Sequence, residues 1–266
     1  MTRAGTIISE RLGKILRLTI SRPAKKNALT FALLDELVAA VSAAADDTET
    51  TVVIITGDGG CFSAGWDLQD YAGKTQTFYE DVHAMQGVND KLEKIFSCPI
   101  PVIAQVDGYC LAGGSDIALS CDFLVMADEA KIGYPAVRSL GVPPFNLWIY
   151  RVGLQMAKRM LLTGDTIGGQ EAVRIGLAMD SVPSGDLAST VLAFAKRVSN
   201  VSRDCLIGNK GILNLGVNLM GRQDLIRAAT IEDAIVHKSP AAEAFIESLL
   251  KDGASKAFRD RDSTFS

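Results

Sequence analysis

Two glycine-rich segments follow strongly apolar runs in this 266-residue chain. The first, GDGGCFSAGWDLQDYA, covers residues 57–72 after the run TVVIIT, and it places Asp67 and Asp70 directly behind Trp66. The second, VDGYCLAGGSDIALSCD, covers residues 106–122 after the run PVIAQ. In an open α/β sheet, ligands bind beyond the carboxyl ends of the strands, so we expect both segments to border one crevice.

The glycines of these segments could present backbone N–H groups to a ligand. Gly113 and Gly114 stand where a predicted helix begins, and the first N–H groups of a helix have no internal acceptor. Gly65, before Trp66, permits an unusual backbone conformation. Two N–H groups that converge on one point form an oxyanion hole, which stabilises negative charge on a carbonyl oxygen. Glycine pairs at strand-to-helix turns are also common packing devices, so the pattern alone leaves both interpretations open.

The elements that position these segments alternate along the chain. Residues 6–20 alternate apolar and polar side chains and predict a hairpin that turns near Leu12 and Gly13. Helical and strand-like runs then follow each other as far as Ala130, with Thr30 as the predicted N-cap of the first helix. Strands that are apolar almost throughout and are separated by helices predict a parallel sheet covered on both faces.

After Ala130 the pattern becomes mostly helical, with apolar residues at 3.6-residue spacing. We find no internal repeat and no Pro-rich linker. The sequence therefore predicts an α/β core over residues 1–200 and a helical C-terminal segment over residues 201–266, which we expect to serve in oligomerisation and as a cover for a pocket.

Composition disfavours several classes of protein. A net charge of −4 argues against nucleic acid as the main partner, because duplex binding rests on basic patches. Five cysteines without a C-x-x-C pair indicate neither a disulfide framework nor a zinc ribbon, and His83 and His237 are not spaced as metal ligands, so we expect no metal. No apolar run approaches a membrane span, and the amino-terminal residues lack the apolar core of a signal peptide, which predicts a cytoplasmic protein without a membrane partner.

Several motifs together resemble the crotonase, or enoyl-CoA hydratase/isomerase, superfamily. They are FSAGWDL and, some forty residues later, PVIAQVDGYCLAGGSDIALSCDFLVMADEAKIGYP, flanked by SRPAKKNALT and MAKRMLLTGDTIGGQEAVRIGLAMDSVP. The resemblance is clear from Leu12 to Pro183 and loose in the helical tail. It implies an α/β fold with a crotonase-like ββα superhelix core and a helical C-terminal segment, assembled as a homotrimer or a dimer of trimers.

The resemblance also implies a site. The N–H groups of Trp66 and Gly113 would hold the thioester carbonyl oxygen of an acyl-CoA as it becomes enolate-like. Coenzyme A would enter only as part of the substrate, with no separate cofactor. The residues implied in substrate and CoA binding are Ala24, Lys25, Lys26, Ser63, Ala64, Trp66, Asp67, Leu68 and Tyr134.

The family's hydratases use two glutamates, and this chain departs from both. Asp116 stands at the first position, three residues after Gly113, as a shorter acid that can act as general acid/base. Ala136 stands at the second position, in GYPAVRSLGVPP, and cannot transfer a proton. Candidates for a replacement lie nearby, although Asp67 fits better as a loop or helix cap and Arg138 as an ion-pair partner. They are Tyr134, Arg138, Asp67, Asp70 and His83.

The sequence is compatible with three functions. The first is a 2-enoyl-CoA hydratase-like lyase in which Asp116 is helped by a group outside the usual motif. The second is a one-carboxylate reaction, either isomerisation of an enoyl-CoA or hydrolysis of a thioester or β-diketone, which Ala136 makes more attractive. The third is a non-catalytic acyl-CoA-binding protein.

Overall fold

The computed structural model describes residues 5–68 and 77–265, which form two β-sheets surrounded by helices. The strands are β1 Thr6–Leu12, β2 Ile15–Ser21, β3 Val52–Gly57, β4 Val102–Val106, β5 Tyr109–Leu111, β6 Phe123–Ala127, β7 Lys131–Gly133, β8 Thr166–Ile167 and β9 Asp180–Val182. The helices are α1 Phe31–Asp46, α2 Phe78–Phe96, α3 Gly113–Ser120, α4 Trp148–Thr163, α5 Gly169–Arg174, α6 Ser184–Ser199, α7 Arg203–Leu219, α8 Arg222–His237, α9 Pro240–Asp252 and α10 Ala254–Asp262.

The larger sheet has the strand order β1-β2-β3-β4-β6-β9. The predicted hairpin is confirmed, with Leu12 paired to Ile15 and Gly13 in the left-handed region at φ 67°. Strands β2, β3, β4, β6 and β9 run parallel, as their continuous apolar character predicts, and β3 is buried almost throughout. The carboxyl ends of β3 and β4 lead directly into the two glycine-rich segments.

A second sheet, β5-β7-β8, is a feature that the sequence pattern does not predict. Its strands are two or three residues long, which is too short for a period of two to be recognised. Its importance lies in its position, because β5 ends one residue before Ala112 and therefore sets the start of α3.

The C-terminal helices pack directly on the α/β core. Lys210 of α7 is buried, and its Nζ donates to the Ile100 carbonyl at 3.1 Å and pairs with Asp122 Oδ2 at 2.6 Å. Helix α8 lies against α2, and α10, whose short pattern the sequence does not separate from α9, follows immediately at Ala254. The α/β class with a helical C-terminal segment is confirmed, whereas the boundary at residue 200 stays a prediction. Within residues 5–68 and 77–265, no helix combines the length and apolar character that a membrane crossing requires.

Candidate active site

The turn between β5 and α3 leaves an N–H group without an internal partner. Ala112, the N-cap of α3, adopts φ 48° and ψ −120°, a region that a non-glycine residue rarely occupies. Gly113 is the first residue of the helix, and its N–H donates to no described residue. The strained backbone of Ala112 is held by its surroundings, including the hydrogen bond from its N–H to the Gly133 carbonyl at 3.0 Å, and it directs the positive end of the α3 dipole.

Backbone hydrogen bonds join the first glycine-rich segment to this turn. The Ser63 N–H donates to the Tyr109 carbonyl at 2.8 Å, and the Leu111 N–H donates back to the Ser63 carbonyl at 3.0 Å. Gly65 has φ 99°, and a β-carbon added there would lie 2.9 Å from the Leu111 carbonyl oxygen and 3.6 Å from the Gly113 nitrogen.

Only glycine fits at position 65, and the peptide nitrogen that follows it, that of Trp66, lies close to the start of α3. Like the N–H of Gly113, the Trp66 N–H has no hydrogen-bond acceptor among the described residues. The arrangement therefore offers two neighbouring donors of the kind an oxyanion hole requires.

These donors lie beside a cavity of about 760 Å³. Six of the residues that the resemblance assigns to substrate and CoA binding line it, namely Lys25, Lys26, Ala64, Trp66, Leu68 and Tyr134. Apolar wall residues include Phe31, Met85, Leu140, Pro144 and Phe258, and the charged ones include Arg138 and Arg261. The cavity thus combines an apolar interior with basic groups, and α10 of the same chain forms part of its wall.

Other predicted binding residues do not line the cavity. Ser63 is fully buried, donates from Oγ to the Asn27 carbonyl at 2.8 Å and accepts the Gly65 N–H at 3.1 Å, so it shapes the loop. Asp67 pairs with Arg22 at 2.7 Å. Ala24 is exposed on the 3-10 turn Pro23–Lys25, and the structure gives it no contact with the cavity.

Asp116 lies behind the cavity wall in the first turn of α3. Its side chain is buried, and Oδ2 has no hydrogen-bond partner among the described residues. Burial raises the pKa of Asp116 well above its ordinary value, and the negative charge of Asp233 raises it further, while a hydrogen bond with Tyr134 acts in the opposite direction. Tyr134 lines the cavity, so the buried acid is hydrogen-bonded to a residue of the cavity wall.

Sequence reasoning missed an acid and an imidazole that α8 brings to the same cavity. Asp233 and His237, one turn apart on α8, both line it, and His237 Nε2 lies 3.4 Å from Asp233 Oδ1. On its other side, His237 Nδ1 lies 2.9 Å from Oδ2 of the buried Asp81 of α2. The available signal was the pair D-x-x-x-H in the helical tail, where the resemblance is loosest.

The charges of this group shift one another's pKa values. Burial raises the pKa of Asp233 to about 7, although His237 and the Val142 N–H both favour its ionised form. Burial lowers the pKa of His237, but the hydrogen bond to Asp81 and the charges of Asp233 and Asp81 outweigh burial and leave the pKa raised. The cavity wall therefore carries a carboxyl group that can exchange a proton near neutral pH.

The other candidates for the missing acid differ in their surroundings. Arg138 pairs with Asp262 at 3.1 Å, as its interpretation as an ion-pair partner predicts. His83 is exposed on α2 and does not line the cavity, and Asp70 lies outside the described residues. Ala136 packs at the cavity wall in the 3-10 turn Pro135–Arg138 and offers no acid there. Within the described part of the chain, no group of three His, Cys, Asp or Glu side chains is arranged to hold a metal ion.

A pair of backbone donors, a buried acid and a cavity with basic and apolar walls are the features that an enzyme stabilising an enolate-like oxyanion requires. Comparison with known proteins agrees: the family model for enoyl-CoA hydratase/isomerase matches residues 10–251, and the chain belongs to this family. The 2,3-dehydroadipyl-CoA hydratase of Escherichia coli K12 is 36% identical over 204 residues, which cover 74% of this chain and 76% of that protein. The crotonyl-CoA hydratase of Syntrophomonas wolfei is 34% identical over 236 residues, which cover 85% and 86%.

Solved structures show the same fold. The crystal structure of an enoyl-CoA hydratase from Mycobacterium smegmatis matches with a TM-score of 0.92 and 32% identity, over 97% of this chain and 94% of that one. An enoyl-CoA hydratase/isomerase from Xanthobacter autotrophicus Py2 matches with a TM-score of 0.93 and 29% identity, over 98% of each chain. The crotonase fold and a hydratase-like enzyme that acts on acyl-CoA are thereby confirmed.

Proposed function

We propose that this enzyme adds water across the double bond of 2-enoyl-CoA thioesters. The proposal rests chiefly on the N–H groups of Trp66 and Gly113, which have no acceptor within residues 5–68 and 77–265. The Ser63–Leu111 hydrogen bond joins their two segments beside the cavity. A thioester oxygen that accepts both N–H groups gains most from them when it becomes an enolate oxygen, so they lower the barrier more than they tighten substrate binding.

Asp116 and Tyr134 exchange the proton at the α-carbon. Burial and the charge of Asp233 favour the protonated form of Asp116, whose carboxyl can pass a proton to Tyr134 at the cavity wall. Because the pKa of Tyr134 is itself raised well above its ordinary value by burial, the tyrosine passes a proton on and does not remain ionised.

The remaining wall suits an acyl-CoA. Lys25 and Lys26 supply positive charge for the CoA phosphates, and the apolar side chains around Met85 and Leu140 receive the acyl chain. The reaction needs no cofactor beyond the CoA of the substrate.

The enzyme acts in the cytoplasm as a homotrimer or a dimer of trimers. Support for assembly comes from exposed apolar side chains on α7, on α8 and in the turn between them, which a partner subunit would cover. They include Ile212, Leu213, Leu219, Met220, Ile231 and Ile235.

Isomerisation of enoyl-CoA is the second candidate, and Ala136 is the observation that favours it. A single acid/base group can move a proton between two carbons, and Ala136 leaves the wall without the family's second glutamate.

The test follows the absorbance of the conjugated enoyl thioester when purified protein meets short- and medium-chain 2-enoyl-CoA, with products identified by mass spectrometry. A product heavier by one water, formed by the native enzyme and lost in Asp116→Asn, supports hydration. A product of unchanged mass with a shifted double bond would replace it by isomerisation, and a shortened product by hydrolysis. Tight binding without any product would leave only a binding protein.

A further inference from the structure

Helix α8 is fixed against α2 at three points along its length. Arg222 makes a bidentate pair with Glu93, at 2.8 and 2.9 Å, at the first end. In the middle, Asn89 Nδ2 donates to Thr230 Oγ1 at 2.7 Å and to the Pro144 carbonyl at 3.2 Å. At the last turn, His237 meets Asp81. The face of α8 that carries Asp233 is therefore held rigidly toward the cavity.

Asp233 is hydrogen-bonded to the loop after Ala136, the residue at the position of the family's second glutamate. Its Oδ1 accepts the Val142 N–H at 2.8 Å, only six residues beyond Ala136. A β-carbon added to Gly141 would lie 2.2 Å from the same oxygen and 3.2 Å from His237 Nε2. The loop thus lacks an acid at position 136 but has a glycine and an N–H group that admit a carboxyl from α8.

We propose that Asp233 is the second acid/base group of the site, which activates the water for addition to the β-carbon while His237 and the Val142 N–H hold its carboxylate in place. The inference rests on the proposed hydration and names the residue that does what Ala136 cannot do. In this assignment Asp233 is catalytic, and His237, held by Asp81, is a positioning residue.

Asp233 takes one proton from water as the oxygen of that water bonds to the β-carbon. The electron pair of the double bond moves toward the α-carbon and the thioester oxygen, where the N–H groups of Trp66 and Gly113 stabilise it. The Tyr134 hydroxyl protonates the α-carbon and regains a proton from Asp116. Exchange with solvent water then removes the proton from Asp233 and returns one to Asp116, so the net change is the addition of one water.

Several charged or titratable groups determine the electrostatic environment of Asp233. His237 lies on its own helix, Asp81 faces it from α2, and the carboxyl of Asp116 on α3 interacts with it electrostatically, as does Tyr134 from the loop after β7. Two interacting buried carboxyl groups cannot ionise equally easily, so one is kept protonated while the other is charged. That division provides an acid at the α-carbon and a base at the water.

The experiment compares two reactions of the full-length protein. Hydration of a short-chain 2-enoyl-CoA needs both groups, whereas exchange of the α-proton of the saturated acyl-CoA in deuterium oxide needs only the enolate-forming half. We expect Asp233→Asn to lower kcat for hydration by about 100-fold or more while α-proton exchange stays within about threefold of the native rate. Glu232→Gln, an exposed neighbour on α8, is the matched control and leaves both rates unchanged.

A second variant tests the assignment directly. Ala136→Glu places the family's acid back on the loop, and in the Asp233→Asn background we expect it to restore hydration by at least about tenfold.

Each outcome has a distinct meaning. Native-like hydration by Asp233→Asn would overturn the role of Asp233 and leave the proposed function intact. Equal loss of hydration and α-proton exchange would also overturn it, since the residue would then support the structure or the enolate step. Absence of hydration in the native protein would overturn the proposed function and this inference with it.

Discussion

The indole ring of Trp66 packs directly on the backbone of Gly113, so that a β-carbon at position 113 would lie 2.6 Å from Trp66 Nε1. In the proposed oxyanion hole, Trp66 supplies one N–H group, and its side chain packs on the backbone that supplies the other. Phe31 supports the indole, with ring centroids 5.6 Å apart. This packing favours the proposed role of the two donors, because donors that are preorganised before substrate arrives stabilise a transition state most.

Gly113→Ala should strongly lower the rate of enolate formation. The new methyl group would displace the Trp66 indole and separate the two N–H groups, and loss of one donor costs about 100-fold or more in kcat. The measurement is kcat for hydration and for α-proton exchange, both of which should fall together. Gly208→Ala, on α7 with open space around its Cα, is the control and should only stabilise the helix, by about 1 kcal/mol. Full activity of Gly113→Ala would contradict the assigned oxyanion hole.

Asp116→Asn should make the protein more stable while it removes activity. In the folded state the pKa of Asp116 is raised above its ordinary value near 3.8, so its contribution to stability is complete below pH 4 or so and is lost as the pH rises toward the folded pKa. The free energy of unfolding of the native protein therefore falls by at most about 1.4 kcal/mol for each pH unit in this range. Urea unfolding at several pH values should show that the free energy of unfolding of the variant exceeds that of the native protein by more as the pH increases. Hydration by the variant should fall by at least about 100-fold. A pH-independent difference would show that Asp116 ionises normally in the fold.

The sequence predicted the fold correctly where a motif coincides with a regular spacing of apolar residues. The hairpin, the apolar parallel strands and the helix that begins at Gly113 follow from alternation, apolar runs and glycine placement. Such features are local in the chain, so their residue types determine them.

Asp233 and His237 could not be found in the same way. They lie more than one hundred residues beyond Asp116, and only the packing of α8 on α2 brings them to the cavity. The sequence of α8 has the pattern of an ordinary amphipathic helix. The spacing of its residues does not indicate that Asp81 and the Val142 N–H will contact them. The second sheet escaped prediction for a related reason, since its short strands are defined by partners distant in sequence.

Hydration should depend on pH through Asp233. Since the base must be ionised and its pKa is raised to about 7, kcat/KM should rise with pH around neutrality. The charge of His237 lowers the pKa of Asp233, so His237→Gln should move this rise to higher pH. His83→Gln, exposed on α2, is the control and should leave the profile unchanged. A His237→Gln profile that merely decreases in height, without a shift, would show that the two groups are not coupled.

Gly141→Ala should separate the two halves of the reaction without replacing either acid. The added methyl group would clash with Asp233 Oδ1 and push the carboxylate from the Val142 N–H. We expect hydration to fall by about tenfold or more and α-proton exchange to persist. Gly211→Ala, a helical glycine with open space, serves as the control. If Gly141→Ala hydrates at the native rate, the position of Asp233 is not essential to water addition.

Arg222→Ala should release the end of α8 and reveal how far the position of Asp233 depends on it. The Arg222 side chain is fully buried, pairs with Glu93 through two hydrogen bonds and lies over the Phe96 ring at 4.0 Å. The Glu93 side chain is 37% exposed, so the carboxylate left by Arg222→Ala is partly solvated. The variant should therefore lose less than the cost of breaking a fully buried pair, about 3–5 kcal/mol, and denaturant unfolding can measure the loss.

The control for this change is Arg227→Ala, on the same helix. Arg227 makes an exposed pair with Asp224 at 3.1 Å, and exposed pairs contribute at most about 1 kcal/mol. Because α8 carries Asp233, Arg222→Ala should also lower hydration more than α-proton exchange under conditions where the protein is still folded. A stable Arg222→Ala protein with native hydration would mean that the Asn89 and Asp81 contacts alone are sufficient to hold α8 in place.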